Sequence, residues 1–435
     1  MTSYEESGVN IELGDDASKI LYNAAKLTWK NRKGKLGDVI VPFDDFTGVR
    51  AIDVSNLPEG TLMNIGFDGV GTKIEIAERM NYHATVAHDL LAMVCEDAVI
   101  RGAEPVLVGS ILDVQSLGND KINYIEQLKQ LAMGYINAAE EADVAIINGE
   151  IAELGNRVGG FRSQSFINQL ALQYISTNLT SENWLSIQNF SKYLVETDKK
   201  IKENLLEDID YLERDFLAYA EQCKTLNYNW GAAVVWFARK ERMFTGNEIK
   251  EGDYLVGLQE EGYRSNGLSL VRKILEKSYG TNWHTQPFQT NVHLGNLILI
   301  PSKIYTKAIV AMTGGYVGEP RADVHGIAHI TGGGLPGKLG RILKPSGLGA
   351  KIDYPFEPRD FVKHIQRLGN VSDEEAYRTW NMGQGMVVIT PEPEAVNNIA
   401  NEYKIKTKKI GRVTKEPGIR IKSKGSYKEG EYLNF

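Results

Sequence analysis

Cysteine is nearly absent from this 435-residue sequence, where Cys95 and Cys223 are the only two. Two thiols build neither a disulfide framework nor a four-thiolate metal site. Long apolar runs are missing too: no uninterrupted stretch approaches the ~18–20 residues that span a bilayer. A basic excess is also lacking. Lys plus Arg number 49 against 56 Asp plus Glu, a net charge of −7, whereas a protein that wraps nucleic acid usually carries the opposite balance. The polar, acidic start Met1–Asn10 has no apolar core of a signal peptide. The three Asn-x-Ser/Thr triplets at Asn178, Asn189 and Asn370 therefore read as chance matches, and the expected location is the cytoplasm, with no membrane or nucleic-acid partner.

What is present is ordinary globular material, 42% hydrophobic and 24% charged. A chain of this length is expected to form two domains. Thr61–Gly66 reads as a strand entering a glycine turn, and Asp89–Arg101 as a helix with Gly102 as its cap. Val106–Leu112 reads as a strand, Ile122–Glu141 as a helix and Val144–Ile147 as a short buried strand. This alternation points to an α/β domain. Residues 161–229 differ. They contain no proline, and Leu205, Ile209, Leu212 and Phe216 recur at i, i+4, i+7 and i+11 between charged residues, which predicts an amphipathic helix or helical hairpin laid on the main body. A partner-binding surface is the other reading. Strand character resumes at Ala232–Ala238, and Gly246–Asp253 reads as a linker. The expected division is 1–246, carrying the insertion at about 161–229, and 247–435, a second α/β domain with a short basic tail.

Five segments carry candidate chemistry. Asp68-Gly69-Val70-Gly71-Thr72-Lys73 combines glycines that admit phosphate to the backbone with a carboxylate, a hydroxyl and an amine; it is not a Walker A loop, and a plain glycine turn is an equal reading. Asp89 opens a helix and is either a cap or an oxygen ligand. Asp97 follows at about 80° around that helix, so the two do not necessarily meet at one ion. Asn148-Gly149-Glu150-Ile151-Ala152-Glu153 follows a buried strand, where α/β domains place ligand groups, or is a solvated loop. Arg264-Ser265-Asn266-Gly267 precedes a helix and forms either an anion cradle or an ordinary cap. His325 and His329 stand four apart before Thr331-Gly332-Gly333-Gly334. A transition-metal pair there lacks a third nitrogen or sulfur ligand.

Together these runs resemble the phosphoribosylformylglycinamidine cyclo-ligase family of purine biosynthesis. The matching stretches are Tyr4–Val9, FDGVGTK at 67–73, HDLLAMVCEDAVIRGAEP at 88–105, GEIAELG at 149–155, SNGLSLVRKIL at 265–275, HGIAHITGGG at 325–334 and YRTWNMGQGM at 377–386, in family order. The resemblance implies a two-domain α/β (α+β) fold, a homodimer whose amino-terminal sheets close into a barrel, and ATP with magnesium as cofactors. It implies phosphorylation of the formyl oxygen of formylglycinamidine ribonucleotide, attack by the amidine nitrogen, loss of phosphate and closure of the imidazole. It makes Asp68, Asp89 and Glu150 candidates for magnesium. Asp68, Gly69, Gly71, Thr72, Lys73 and Asp89 become candidates for the ATP site, and Ser265, Asn266, Gly267 and Thr331–Gly334 for the substrate. His329, with Lys73 and Asp68, is a candidate for catalysis, His329 through proton transfer or a transition-state hydrogen bond.

Phe67, Ser110, Asn148 and Ile151 depart from the usual Thr, Asp, Gly and Thr. Arg264 stands where His is usual; an arginine cannot act as a base but can grip phosphate with two donors. The competing readings are a sister ATP-using phosphotransferase on the same scaffold and a non-catalytic nucleotide-binding paralogue.

Overall fold

The computed structural model describes residues 11–40, 50–118, 123–160, 225–280 and 282–435. The segment 161–224, which holds most of the expected helical insertion and Cys223, lies outside them, as does Tyr4–Val9.

The amino-terminal half begins with α1 (Ile11–Thr28) and a short ladder of β1 (Val39–Ile40) with β2 (Ala51–Ile52). There follow β3 (Thr61–Gly69), α2 (Lys73–Met80), α3 (Val86–Val99), β4 (Glu104–Val114), α4 (Ile125–Ala142), β5 (Ala145–Glu153) and β6 (Tyr228–Arg239). The four long strands form one sheet in the order β3-β6-β4-β5. Only β4 and β5 run parallel, because α4 supplies the helix-length crossover that parallel neighbours need. The other two pairings are antiparallel, so the expected alternation describes one βαβ unit and not the whole sheet.

Two boundaries differ from the sequence reading. Strand β6 starts at Tyr228, inside the range assigned to the insertion. Its even positions Tyr228, Trp230, Ala232 and Val234 are buried while the odd ones are not, a period of two that the helical pattern upstream obscures. Asn148–Glu153 is not a loop but the second part of β5, paired with β4 after a register shift at Val108/Gly109.

Helices α1, α3 and α4 cover one face of this sheet with the main apolar core. The opposite face is open: Met63, Ile65 and Phe67 on β3 and Ile111 on β4 are exposed, Phe67 to 73%.

The carboxyl-terminal half is ordered β7 (Tyr254–Gln259), α5 (Leu268–Tyr279), β8 (Pro287–Gln289), β9 (Val292–His293), α6 (Leu294–Ile298), α7 (Thr306–Thr313), β10 (Gly326–His329), α8 (Gly334–Leu343) and β11 (Gly349–Ile352). It continues with α9 (Asp360–Leu368), α10 (Asp373–Thr379), β12 (Gln384–Thr390), α11 (Pro393–Glu402), β13 (Thr407–Thr414), β14 (Gly418–Lys422) and β15 (Tyr432–Asn434). Seven strands make a sheet ordered β10-β12-β7-β13-β11-β14-β15. Strand β12, apolar at Met386–Ile389 and buried throughout, lies inside it. The basic stretch after Lys415, expected as a short tail, forms the last two strands of this sheet. It is tied down by Asp373, whose carboxylate accepts from Ser423 and from the backbone of Tyr427 and Lys428.

The two halves share apolar contacts: Val99 at the end of α3 belongs to a cluster with Ile309 and Met312 of α7. Among the described residues no helix is long and apolar enough to cross a membrane.

Candidate active site

The first glycine loop turns β3 into α2. Gly71 and Thr72 at the turn are exposed, whereas Lys73, the first residue of α2, is wholly buried. Its ammonium donates to Asp89 on α3 at 2.8 Å and to the Ile300 carbonyl of the other half. Ser302 donates to the same Asp89 oxygen at 2.5 Å. Both side chains of the pair are 0% exposed. Lys73 and Asp89 therefore clamp the halves together and do not face an open cleft. Removing one partner of such a pair strands a charge in the core and costs ~3–5 kcal/mol.

Asp97 points elsewhere. Eight residues beyond Asp89 on the same helix, it turns about 80° away and is 58% exposed. It comes within electrostatic reach of Asp68 at the end of β3 and of Lys338 on α8. Partial burial raises the Asp68 carboxyl above its ordinary value, and the like charge of Asp97 adds to this. For Asp97 itself burial also pushes upward, but the hydrogen bond from His329 and the cations Lys338 and Arg101 prevail and hold it low. Lys338 is lowered by burial and by Arg341, against the pull of both carboxylates. It makes no ion pair within 4 Å among the described residues.

His329 ends β10 and is buried, with both ring nitrogens engaged. Nε2 lies 2.9 Å from the Arg264 guanidinium, and Nδ1 lies 3.0 Å from Asp97. Nε2 also lies 3.0 Å from the Glu96 carboxylate, so the ring is held by an arginine and a carboxylate on one side and by Asp97 on the other. A proton-transfer role for His329 is thereby disfavoured, since neither nitrogen is free for a substrate. His325 is separate. It pairs with Asp253 at 2.7 Å, and the two histidines sit in a strand region and form no metal pair.

Arg264 is not a phosphate grip. It is 1% exposed, donating to Glu96 at 2.6 Å, Glu260 at 2.7 Å and the Lys303 carbonyl at 3.1 Å, with Tyr305 beneath it. Burial opposes its charge, and the two glutamates more than offset that. Its backbone is left-handed, φ +59°, a conformation that costs a non-glycine residue about 1–2 kcal/mol.

The two loops expected to hold substrate lie together against the first glycine loop. A Cβ on Gly71 would lie 4.0 Å from the Ser265 carbonyl, and one on Gly332 3.8 Å from the Asn266 amide nitrogen. Ser265 Oγ and Asn266 Oδ1 have no hydrogen-bond partner among the described residues. The YRTWNMGQGM segment forms the floor of both loops, and this is why two glycines are required. At Gly267, φ +74°, a Cβ would meet Trp380 at 2.6 Å, and at Gly334, φ +60°, it would meet the Tyr377 carbonyl at 1.9 Å.

Asp68 and Glu150 line one open cleft of about 650 Å³ over the bare sheet face, with Ser110 and Phe67. A narrower cavity of about 260 Å³ adjoins it through Ser110, Asn148 and Glu150, walled by Tyr22, Trp29 and Trp230. The expected magnesium set of Asp68, Asp89 and Glu150 is not brought together, because Asp89 is sealed behind Lys73. Among the described residues no three His, Cys, Asp or Glu side chains group closely enough to hold a metal. Sequence reading passed over Lys338, Glu96 and the outward role of Asp97. The available signals were the lysine one turn after the triple glycine and the 80° offset on α3.

Family models match in two blocks: AIR synthase related protein, N-terminal domain, over residues 50–163, and its C-terminal domain over 250–424. The chain is 30% identical over 401 residues to a phosphoribosylformylglycinamidine cyclo-ligase of Desulfitobacterium hafniense, covering 92% of each chain. It is 31% identical over 427 residues to one from Lysinibacillus sphaericus, covering 96% of each. Among solved structures, the fold is similar to Escherichia coli HypE, a hydrogenase maturation protein (TM-score 0.51, 13% identity, 95% of this chain and 96% of that one). It is also similar to thiamine-monophosphate kinase from Stenotrophomonas maltophilia (TM-score 0.50, 11% identity, 93% and 95%).

Proposed function

The chain belongs to the phosphoribosylformylglycinamidine cyclo-ligase family, and from that premise we propose how its own residues divide the work of the ring closure. It is an ATP-dependent cyclo-ligase that converts formylglycinamidine ribonucleotide to aminoimidazole ribonucleotide, releasing ADP and phosphate, in purine biosynthesis. The observation that carries the reading of the site is the meeting of Gly71 with Ser265 and of Gly332 with Asn266. It sets a phosphate-type loop of one half beside two substrate-type loops of the other.

Asp68 and Asp97 would hold magnesium together with the ATP phosphates and water, since no third carboxylate joins them among the described residues. Asp68 is raised by burial and by its like-charged neighbour, a state that a divalent cation relieves; oxygen donors of this kind suit magnesium. The ion would supply charge neutralisation to the ATP phosphates. Lys338 is the phosphate-facing cation in place of the sealed Lys73, and Gly69, Gly71 and Thr72 offer backbone and hydroxyl donors. The aromatic cavity at Tyr22, Trp29 and Trp230 suits a purine ring. Ser265, Asn266 and Thr331–Gly334 receive the substrate's ribose phosphate: α5 and α8 begin at Gly267 and Gly333 without side-chain caps, leaving amino-terminal N–H groups for an anion. Catalysis is then largely positioning and charge stabilisation.

The exposed row Met63, Ile65, Phe67 and Ile111 supports a homodimer in which two four-stranded sheets close into a barrel. Residues 1–246 and 247–435 are taken as the two domains, and the working compartment as the cytoplasm. Purified protein incubated with formylglycinamidine ribonucleotide, magnesium and ATP should form aminoimidazole ribonucleotide. ADP formed only on another acceptor would sink the reading.

A further inference from the structure

The geometry points to Arg264 as a positioning residue that fastens the substrate loop and the metal-side carboxylate to one another. Three observations converge on it. Its guanidinium joins the two halves, binding Glu96 of α3 and, from the carboxyl-terminal half, Glu260 and the Lys303 carbonyl. The same NH2 group that reaches Glu96 also reaches His329 Nε2 at 2.9 Å, and His329 Nδ1 holds Asp97 at 3.0 Å. Glu96, itself 3.0 Å from the same Nε2, and Arg264 therefore position Asp97 together through one intermediate ring.

On its backbone side Arg264 runs directly into Ser265 and Asn266, whose side-chain oxygens Oγ and Oδ1 lack partners among the described residues. A left-handed φ of +59° on an arginine persists only where surrounding contacts over-determine it. Four side-chain contacts do so here.

A simple buried ion pair would explain Glu96 alone. It would not explain why the same guanidinium caps the ring that orients the exposed Asp97 carboxylate. The fork geometry matters, because Arg264 holds Glu96 and Glu260 on different nitrogens while still reaching His329. A histidine cannot do all three, and a lysine offers a point charge without the planar fork. The histidine that the family usually carries at this position has two N–H donors at most and would leave one of these three partners unmet. Restoring that residue alone should make this protein worse.

The inference rests on the ring-closure reading for the identity of the ligands, and its test separates the two. Wild-type protein is first assayed for aminoimidazole ribonucleotide. Absence of product there rejects the ring-closure reading, and the positioning role is then judged on calorimetric binding of Mg·ADP. Arg264→His should weaken Mg·ADP binding and lower kcat by about 10–100-fold, the usual range for partners that orient metal-side ligands. Ser265→Ala should raise KM for the ribonucleotide and leave Mg·ADP binding unchanged. Arg264→Lys should recover part of both losses. Glu96→Gln should act in the same direction as Arg264→His, and the double variant should lose less than the product of the two single losses, because both break one link. Mg·ADP binding and kcat within threefold of wild type in Arg264→His would overturn the proposal, as would multiplicative losses in the double variant. If Arg264→His does not fold, Arg264→Lys and Glu96→Gln are measured instead, and unchanged Mg·ADP binding in both overturns it.

Discussion

Two lysine–carboxylate groups lie at the junction of the halves, and helix α3 supplies a carboxylate to each. Lys73 and Asp89 touch, exclude water and reach across to Ile300 and Ser302. Asp68, Asp97 and Lys338 stand apart, open to solvent, within reach of each other's charge. The chemical inventory is nearly the same. Burial and contact decide the role: in the closed group each charge already has its partner, whereas in the open group two carboxylates share the distant Lys338, with Arg101 acting on Asp97 alone. The closed group should report in stability and the open one in turnover.

The largest expected effect breaks the closed pair. Lys73→Met leaves Asp89 charged in the core and should cost about 3–5 kcal/mol in urea unfolding, with most of it recovered in Lys73→Met/Asp89→Leu. The double variant should keep its activity per folded molecule within about tenfold. If it folds well and is inactive, Lys73 handles phosphate after all and the comparison fails.

The converse change falls in the open group. Asp97→Asn should lower kcat on the order of 10²-fold or more by removing a carboxylate proposed to hold the magnesium of ATP, while the unfolding midpoint stays near wild type. A large stability loss without loss of turnover would move Asp97 into the structural set.

A third test uses pH on the closed side. His83 is fully buried between Tyr228 and Thr225, and burial lowers its pKa from 6.5 to about 4. A folded value below the unfolded one means that the contribution is complete above pH 6.5 and is lost as pH falls from there towards 4. That limb should amount to about 2–3 kcal/mol. His83→Gln should flatten it in unfolding measured from pH 7 to 4.5. An unchanged slope would place the acid sensitivity in other groups.

The fold was legible where apolar periodicity and glycine punctuation agree: β3, α3, β4 and α4 fall where the pattern predicts them. Strand β6 was legible at Ala232–Ala238 but not at its start, because the residues from Tyr228 continue a helical stretch and only the antiparallel partners reveal a period of two. The site was legible as a set of loops but not as a set of roles. Lys73 and Asp89 look like ligand groups in one dimension, and nothing local indicates that Ile300 and Ser302 close over them. Arg264 looks like an exposed phosphate grip until Glu96, 168 residues away, is found at its guanidinium. Asp97 was separable from Asp89 by helix geometry alone, since 80° is enough to turn one inward and the other to solvent.

The smallest expected effect is also the one that most directly tests the open group, since it concerns a residue the motifs do not single out. Lys338 sits on α8 one turn beyond the triple glycine, lowered by burial and by Arg341. If it is one of several charges around the phosphates, as proposed, and one partly wet, it should contribute about tenfold to kcat, less than a fully enclosed donor. Lys338→Gln should show that loss with an unchanged unfolding midpoint, and Lys338→Arg should restore most of it. The variant should also act on its neighbour. Lys338 helps to hold the Asp97 carboxyl low, so without it Asp97 takes up its proton at higher pH, and the acid limb of kcat/KM should move upward. A limb that stays in place while kcat falls would mean that Lys338 acts on the substrate alone; a limb that moves would show that the lysine and the two aspartates titrate as one site.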